Sequence, residues 1–411
     1  MSVQHGREWP WVSPQAMDRV NDLMKQGHLF EFDRGPVVTE LEQAMSSYFQ
    51  VPYVVATSSG TSALHSAFVA LNIAPGDEVI VPTYTFHATA TPLFLCGATP
   101  VLCDSEAETG NIDVIDIEAR ITERTRAIVV THMWGHPAEM DAIITVARRR
   151  GLPVVEDAAH AVGSWYCGRR VGSLADIGIV SLGGAKMVTG GMGGALLTNS
   201  REYYERAVVL GHSHERSRRS NLREPYHALA ESGFGANYRI TVLAAAICIE
   251  QFKDVEERIA VKTANFNAIS ELLKSTEVFR TPVCRPNTTR GGWYGYKAFF
   301  LPENVRGVSL DRLITALKAE GLKVSKPTTK PLHASQAFCG SAIELAQYDS
   351  VAHPRAELKS GDFPVARRLY ETVIGFTDAY FHESCPDVLE MYSVGIQKVM
   401  KNIDRLRDSR S

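Results

Sequence analysis

Between residues 53 and 181 short apolar runs alternate with stretches of helical periodicity, and this alternation restricts the fold more than any other feature. Strands are predicted at Tyr53-Val54-Val55-Ala56, at Glu78-Val79-Ile80-Val81-Pro82, and over 99–104, 126–132, 152–157 and 177–180. Helices are predicted between them over 63–71, 88–96, 115–121 and 140–149, after two earlier ones over 13–26 and 36–49. The centres of the strands are continuous apolar runs of mainly Val, Ile and Leu rather than alternately apolar and polar. That composition suits strands buried on both faces, hence an α/β fold with a mostly parallel sheet covered by helices. Ligands of such sheets lie at the carboxyl ends of the strands.

The residues at those ends are chemically unusual as a set. They are Ser59-Gly60-Thr61, Thr85-Phe86-His87, His132, Asp157 with His160, and Ser181 with Lys186. A Gly/Ser/Thr turn at a helix start offers unpaired N–H groups to a phosphate, although an ordinary helix cap has the same composition. Asp157 ends an apolar strand, where a carboxylate is costly unless it meets a cation; it could also cap the next helix. Lys186 leaves a strand on the loop Ser181-Leu182-Gly183-Gly184-Ala185-Lys186, followed by Gly190-Gly191-Met192-Gly193-Gly194. A lysine that must lose its proton to attack a carbonyl needs such a partly desolvated site, whereas a surface lysine does not. Pyridoxal phosphate would use all these parts together: an anion turn, an aromatic against its ring, a carboxylate at its pyridine nitrogen and a lysine for its aldehyde. The first strand lacks the G-x-G-x-x-G of a nicotinamide enzyme, and no P-loop is present.

Composition narrows the partners. At 411 residues the chain suffices for two domains, and a net charge of −3 gives no reason to expect nucleic acid. Seven cysteines without a CxxC pair, mostly in apolar surroundings, favour buried thiols over disulfides or a metal. No signal-peptide pattern and no run of about 20 apolar residues occurs, so the expectation is a cytoplasmic protein without a membrane span.

Several stretches together make a family resemblance. They include Ser58-Ser59-Gly60-Thr61-Ser62-Ala63-Leu64-His65, Gly76-Asp77-Glu78-Val79-Ile80-Val81-Pro82, Glu156-Asp157-Ala158-Ala159-His160-Ala161-Val162-Gly163 and Ser181 through Lys186. Gly235-Ala236-Asn237-Tyr238-Arg239-Ile240, Lys330-Pro331-Leu332-His333 and Phe363-Pro364-Val365-Ala366 follow in order. The chain resembles the DegT/DnrJ/EryC1/StrS family of pyridoxal-phosphate sugar aminotransferases, of the aspartate-aminotransferase fold (fold type I). The resemblance implies a large domain with a mostly parallel seven-stranded sheet and a smaller α+β C-terminal domain. We expect an N-terminal segment over 1–28, the large domain over 29–254, and a linker helix with the small domain over 255–411.

The resemblance also implies roles. Lys186 would carry the Schiff base and move the substrate proton, and Asp157 would pair with the pyridinium. Phe86 would stack on the ring and His160 would sit near its phenolic oxygen. Ser59, Gly60, Thr61 and Ser181 would hold the phosphate, and Asn237 would reach a phosphate in the neighbouring subunit of a homodimer. Arg34, Met192, Lys330 and His333 are further candidates for substrate contacts. Three positions depart from the family pattern: Leu182 replaces an aromatic, Gly183 a polar residue, and Met192 the glutamate of Gly-Glu-Gly-Gly. The implied reaction moves an amino group from glutamate or glutamine to a keto sugar or cyclitol ketone, with pyridoxamine phosphate as intermediate. Met192 keeps open a different outcome on the same cofactor (elimination, decarboxylation or carbon–carbon bond formation). A cofactor-binding homologue without turnover is opposed by the presence of Lys186, Asp157 and Asn237.

Overall fold

The computed structural model describes residues 7–220, 222–335, 337–338 and 362–407; Cys339 lies outside them. The central sheet comprises β1 (Tyr53–Thr57), β2 (Glu78–Pro82), β3 (Thr99–Cys103), β4 (Thr125–Thr131), β5 (Val154–Asp157), β6 (Ile177–Ser181) and β7 (Gly194–Thr198). They lie in the order β1-β7-β6-β5-β4-β2-β3. Strands β2 to β6 pair in parallel, and β7 runs antiparallel between β6 and β1. The glycine-dense loop 182–193 therefore folds straight back from β6 into β7 without a crossover helix. β7 escaped sequence reading because its apolar run, Ala195-Leu196-Leu197, is short and begins at a glycine.

Burial on both faces follows the two-residue period of the strands. In β4, Ala127 and Val129 pack into one apolar layer, and Ile128 and Val130 into the opposite one. The first layer also holds Val55, Val79, Val155 and Ile179 together with Ala63, Leu64, Ala67 and Phe68 of the helix α3 (Gly60–Ala70), which follows the helices α1 (Pro14–Lys25) and α2 (Pro36–Phe49) in the chain. The expected helix over 63–71 thus begins earlier, at Gly60, because Ser59 caps it: its Oγ accepts the Ser62 N–H at 3.0 Å. The expected helix over 88–96 is instead a 3-10 turn, His87–Thr89, followed by Pro92–Leu95. Pro92 lacks an N–H and crowds the carbonyl four residues back, so a new helix starts there.

The helix Val255–Lys274 leads to a four-stranded antiparallel sheet of β8 (Phe279–Arg280), β9 (Tyr296–Phe300), β10 (Val324–Ser325) and β11 (Val373–Phe376), ordered β8-β9-β11-β10. We propose the domain division at 254/255, where this helix begins. β9 serves two cores: Tyr296, Ala298 and Phe300 join the C-terminal core, whereas Phe299 joins the layer beneath the central sheet. Between β8 and β9 the chain returns to the large domain, where Thr288–Thr289 pairs with Trp165–Tyr166. Gly291 and Gly292 then press against backbone: an added Cβ would stand 2.0 Å from the Gly163 carbonyl carbon and 2.1 Å from the His160 oxygen. This contact delivers the next residues, Trp293 and Tyr294, to the neighbourhood of His160. Among the described residues no helix is long and apolar enough to cross a membrane. Of the described cysteines, Cys103, Cys248 and Cys385 are buried and Cys96 is half-buried, while Cys167 and Cys284 are exposed.

Candidate active site

The turn from β1 into α3 is shaped by close backbone packing. A Cβ on Gly194 would lie 2.4 Å from the Ser59 carbonyl carbon and 2.5 Å from the Gly60 nitrogen. Only glycine lets β7 start so close to the helix N-terminus. A Cβ on Gly60 would lie 3.1 Å from the Ser181 Cβ, so the end of β6 adjoins the same turn. Ser59, Gly60, Thr61 and Ser181 thus lie together, next to free N–H groups at the positive end of α3. The Ser58 N–H donates to the Tyr238 carbonyl at 2.6 Å, which ties the segment after Asn237 to this turn. Asn237 itself is exposed, with a left-handed φ of 54° that asparagine tolerates better than most residues.

Asp157, at the end of β5, is buried. Its Oδ2 accepts from Thr89 Oγ1 at 2.8 Å and its Oδ1 from the Ala159 N–H at 3.1 Å. Burial raises its pKa; those two hydrogen bonds and the charge of Lys186 act in the opposite direction. Thr89 belongs to a hydroxyl chain, with Thr85 2.8 Å away and Thr131 3.0 Å beyond it. His132, grouped with the site on sequence grounds, has a structural task instead. It accepts the Ala138 N–H on Nδ1 at 3.0 Å, so its Nε2 carries the proton and donates to Glu156 at 3.0 Å. Glu156 also accepts the N–H groups of Gly172, Leu174 and Ala175, which accounts for a carboxylate inside the core.

Lys186 sits on a loop held at many points. Leu182 N donates to Gly193 O at 2.9 Å, Gly184 N to Gly191 O at 3.0 Å, and Thr189 N to the Gln251 side chain at 2.7 Å. The indole N–H of Trp9 donates to the Lys186 carbonyl at 3.0 Å. Leu182 is fully buried in an apolar cluster with Val180, Met187 and Val188. The Lys186 ammonium lies 3.8 Å from the centre of the Tyr294 ring, and that ring stacks on His160 at 3.9 Å with an 8° tilt. Burial lowers the Lys186 pKa to about 8, opposed by Asp157 and Asp378. Burial, with Lys186 and Lys297 nearby, also keeps His160 neutral; its Nδ1 is buried without a hydrogen-bond partner among the described residues. Tyr294 and Trp9 escaped sequence reading. The one available signal was an aromatic pair immediately after Gly291-Gly292.

The remaining candidates are less concentrated. Phe86, 48% exposed, leads the 3-10 turn after β2 and packs on His87. Met192 is 66% exposed, and Lys330 is exposed. The His333 Nδ1 lies 2.8 Å from Thr83 Oγ1 and its ring stacks on Phe363, which docks its segment on the end of β2. Arg34 forms an ion pair with Glu42, which also binds Arg216 at 3.0 Å. Arg34 lines a separate cleft with Asp33, Tyr53, Arg201 and Arg219.

The family model of DegT/DnrJ/EryC1/StrS aminotransferases matches residues 12–370. The chain belongs to this family. GDP-perosamine synthase of Caulobacter vibrioides is 36% identical over 301 residues, 73% of this chain and 78% of the relative. The L-glutamine:scyllo-inosose aminotransferase of Streptomyces griseus is 31% identical over 408 residues, 97% of this chain and 95% of the relative. An aminotransferase structure from Psychrobacter cryohalolentis superposes with a TM-score of 0.85 at 28% identity, covering 96% of this chain and 98% of that one. The family and fold implied by the sequence are therefore present, with a mostly parallel seven-stranded sheet and a smaller C-terminal sheet.

The side chains also fit the cofactor that such a family implies. The orphaned His160 Nδ1, the buried Asp157 carboxylate, the depressed Lys186 and the open helix N-terminus each match a different polar group of pyridoxal phosphate.

Proposed function

We propose that this family member is a pyridoxal-phosphate aminotransferase that takes an amino group from glutamate or glutamine and passes it to a keto sugar or cyclitol ketone. The observation that carries the reading is the placement of Lys186: half-buried, with a pKa near 8, electrostatically linked to Asp157 and packed on the Tyr294–His160 stack. With that pKa about a tenth of the lysine is unprotonated at pH 7, ready to attack a carbonyl. The N–H groups at the start of α3, with Ser59, Thr61 and Ser181, would bind the phosphate. Asp157 would hold the proton on the ring nitrogen, Phe86 would cover the ring, and His160 Nδ1 would face the phenolic oxygen. Bound there, pyridoxal phosphate supplies the electron sink that weakens the α-C–H bond of an amino acid. Lys186 would then remove that proton and return it one atom away.

The inosose relative is named for L-glutamine and a cyclitol ketone, which supports these as donor and acceptor classes here. The perosamine relative is named for a nucleotide-linked amino sugar, which supports the keto-sugar class. The exposure of Met192 adds no support for elimination, decarboxylation or carbon–carbon bond formation. We further propose a homodimer in which Asn237, exposed beside the phosphate turn, serves the neighbouring subunit. A cytoplasmic location is supported by the buried thiols of Cys103, Cys248 and Cys385.

Absorption spectroscopy tests the core of this proposal. Holo-protein is expected to show a Schiff-base band that converts to a pyridoxamine spectrum with glutamine or glutamate, and Lys186→Ala is expected to lack the band. A holo-protein without the band, or one that no amino acid converts, would overturn it.

A further inference from the structure

One ammonium group beside the site has no task in the scheme above. Lys297, on β9 three residues beyond Tyr294, lines a cleft of about 960 Å³ together with Ala185, Tyr294, Gly295, Gly375 and Asp378. Ala185 and Tyr294 are the covalent neighbour and the ring partner of Lys186 respectively, so this cleft adjoins the reacting lysine. The backbone is shaped to hold the ammonium in place. A Cβ on Gly295 would stand 2.5 Å from Lys297 Nζ, and one on Gly375 2.9 Å from it. Gly295 also has a φ of +67°, which residues with a Cβ rarely adopt.

The local charges leave Lys297 unmatched. The cations Lys186, Lys262 and Lys297 act on two carboxylates, Asp157 and Asp378, while Arg258 stands near Lys262 and the cleft is also lined by Lys318 and Lys323. Asp378 is bound to Lys262 at 2.7 Å, and Asp157 accepts from Thr89 and would hold the proton on the ring nitrogen. His160 and His382 are kept neutral by burial. Among the described residues Lys297 forms no hydrogen bond or ion pair; Asp378 acts on it only at longer range. A partly desolvated ammonium without a direct counter-ion is costly unless an anion enters to meet it.

We infer that Lys297 binds a carboxylate of the amino donor. The inference rests on the amino-acid donor proposed above. A donor bearing its nitrogen to Lys186 carries its α-carboxylate on the same carbon, so a receptor for that charge must lie close to Lys186. Tyr294, whose ring lies 3.8 Å from the Lys186 ammonium, lines the same cleft as Lys297. A keto sugar or cyclitol acceptor has no carboxylate, so this role of Lys297 belongs to the half of the cycle in which the amino acid is consumed.

The test compares wild type, Lys297→Gln and Lys297→Arg as holo-proteins. The probes are 2-methylglutamate, which has no α-hydrogen to lose, L-glutamine in single turnovers, and ethanolamine as an amine without a carboxylate. Loss of a desolvated charge pair is worth at least about 30-fold in affinity. Lys297→Gln is therefore expected to weaken 2-methylglutamate binding in calorimetry by about 30-fold. It should raise the half-saturating glutamine concentration equally, while leaving the maximal conversion rate and the reaction with ethanolamine near wild type. Lys297→Arg should recover most of the affinity. Unchanged 2-methylglutamate binding in Lys297→Gln, or an equal loss with ethanolamine, would overturn the assignment. If wild type converts with glutamine and the variant binds 2-methylglutamate normally, only the role of Lys297 falls. If wild type converts with no amino acid, the aminotransferase reading falls with it.

Discussion

The hydrogen bond from Thr89 to Asp157 offers a measurable handle on the site. Thr89→Val removes the hydroxyl with little change in volume, so no cavity forms, and the buried carboxylate keeps only the Ala159 N–H. A hydrogen bond to an ionised group is worth about 1.5–3 kcal/mol. At about 1.4 kcal/mol per pKa unit, its loss raises the pKa of Asp157 by about one to two units, beyond the elevation that burial already causes. The sign follows from the role: the carboxylate must be ionised to hold a proton on the ring nitrogen. Activity is present above its pKa and declines as pH falls through it, so the acidic limb of the kcat profile should move upward by about one to two pH units. At a pH on that limb, kcat should drop about 10- to 100-fold. Single-turnover spectroscopy across pH measures the shift, with Asp157→Asn and the double variant completing a cycle. An acidic limb that stays in place would refute the reasoning. So would Thr89→Val costing as much in the Asp157→Asn background as in wild type.

Gly194→Ala is expected to weaken pyridoxal phosphate binding at least about 10-fold, because the new methyl group meets the Ser59 and Gly60 backbone and must displace the start of α3. Equilibrium dialysis measures this, and an unchanged dissociation constant would show that the turn does not carry the phosphate. In the cofactor-free protein Lys186 destabilises the fold, since its folded-state pKa of about 8 lies below the unfolded value of 10.5. The penalty is complete below about pH 8, fades as pH rises toward 10.5, and vanishes above it. Lys186→Met should therefore be more stable than wild type by about 2 kcal/mol at pH 7, after allowance for partial solvent exposure, and about equal to it near pH 10.5. Urea unfolding at the two pH values decides, and a pH-independent difference would contradict a desolvated lysine.

The sequence was informative wherever local chemistry and periodicity agree. Apolar runs such as Glu78-Val79-Ile80-Val81-Pro82 marked strands buried on both faces, and the parallel α/β layout followed with its ligand edge. That edge groups Ser59-Gly60-Thr61, Asp157, Ser181 and Lys186, since each ends a strand or lies on the loop that leaves it. Contacts between residues far apart in the chain were not legible. β7 is defined by its antiparallel pairing to β1 and β6 rather than by its three apolar residues. His132 looked like a site residue because it directly follows β4, yet Ala138 and Glu156 occupy both of its nitrogens. Trp9 reaches Lys186 across a sequence separation of 177 residues. Tyr294 and Lys297 arrive beside Lys186 only because Gly291 and Gly292 admit backbone against Gly163 and His160. A periodicity constrains a residue through its near neighbours in the chain. The environment that moves the pKa of Lys186 and leaves Lys297 unpaired is assembled from separate segments, so only the folded chain could decide it.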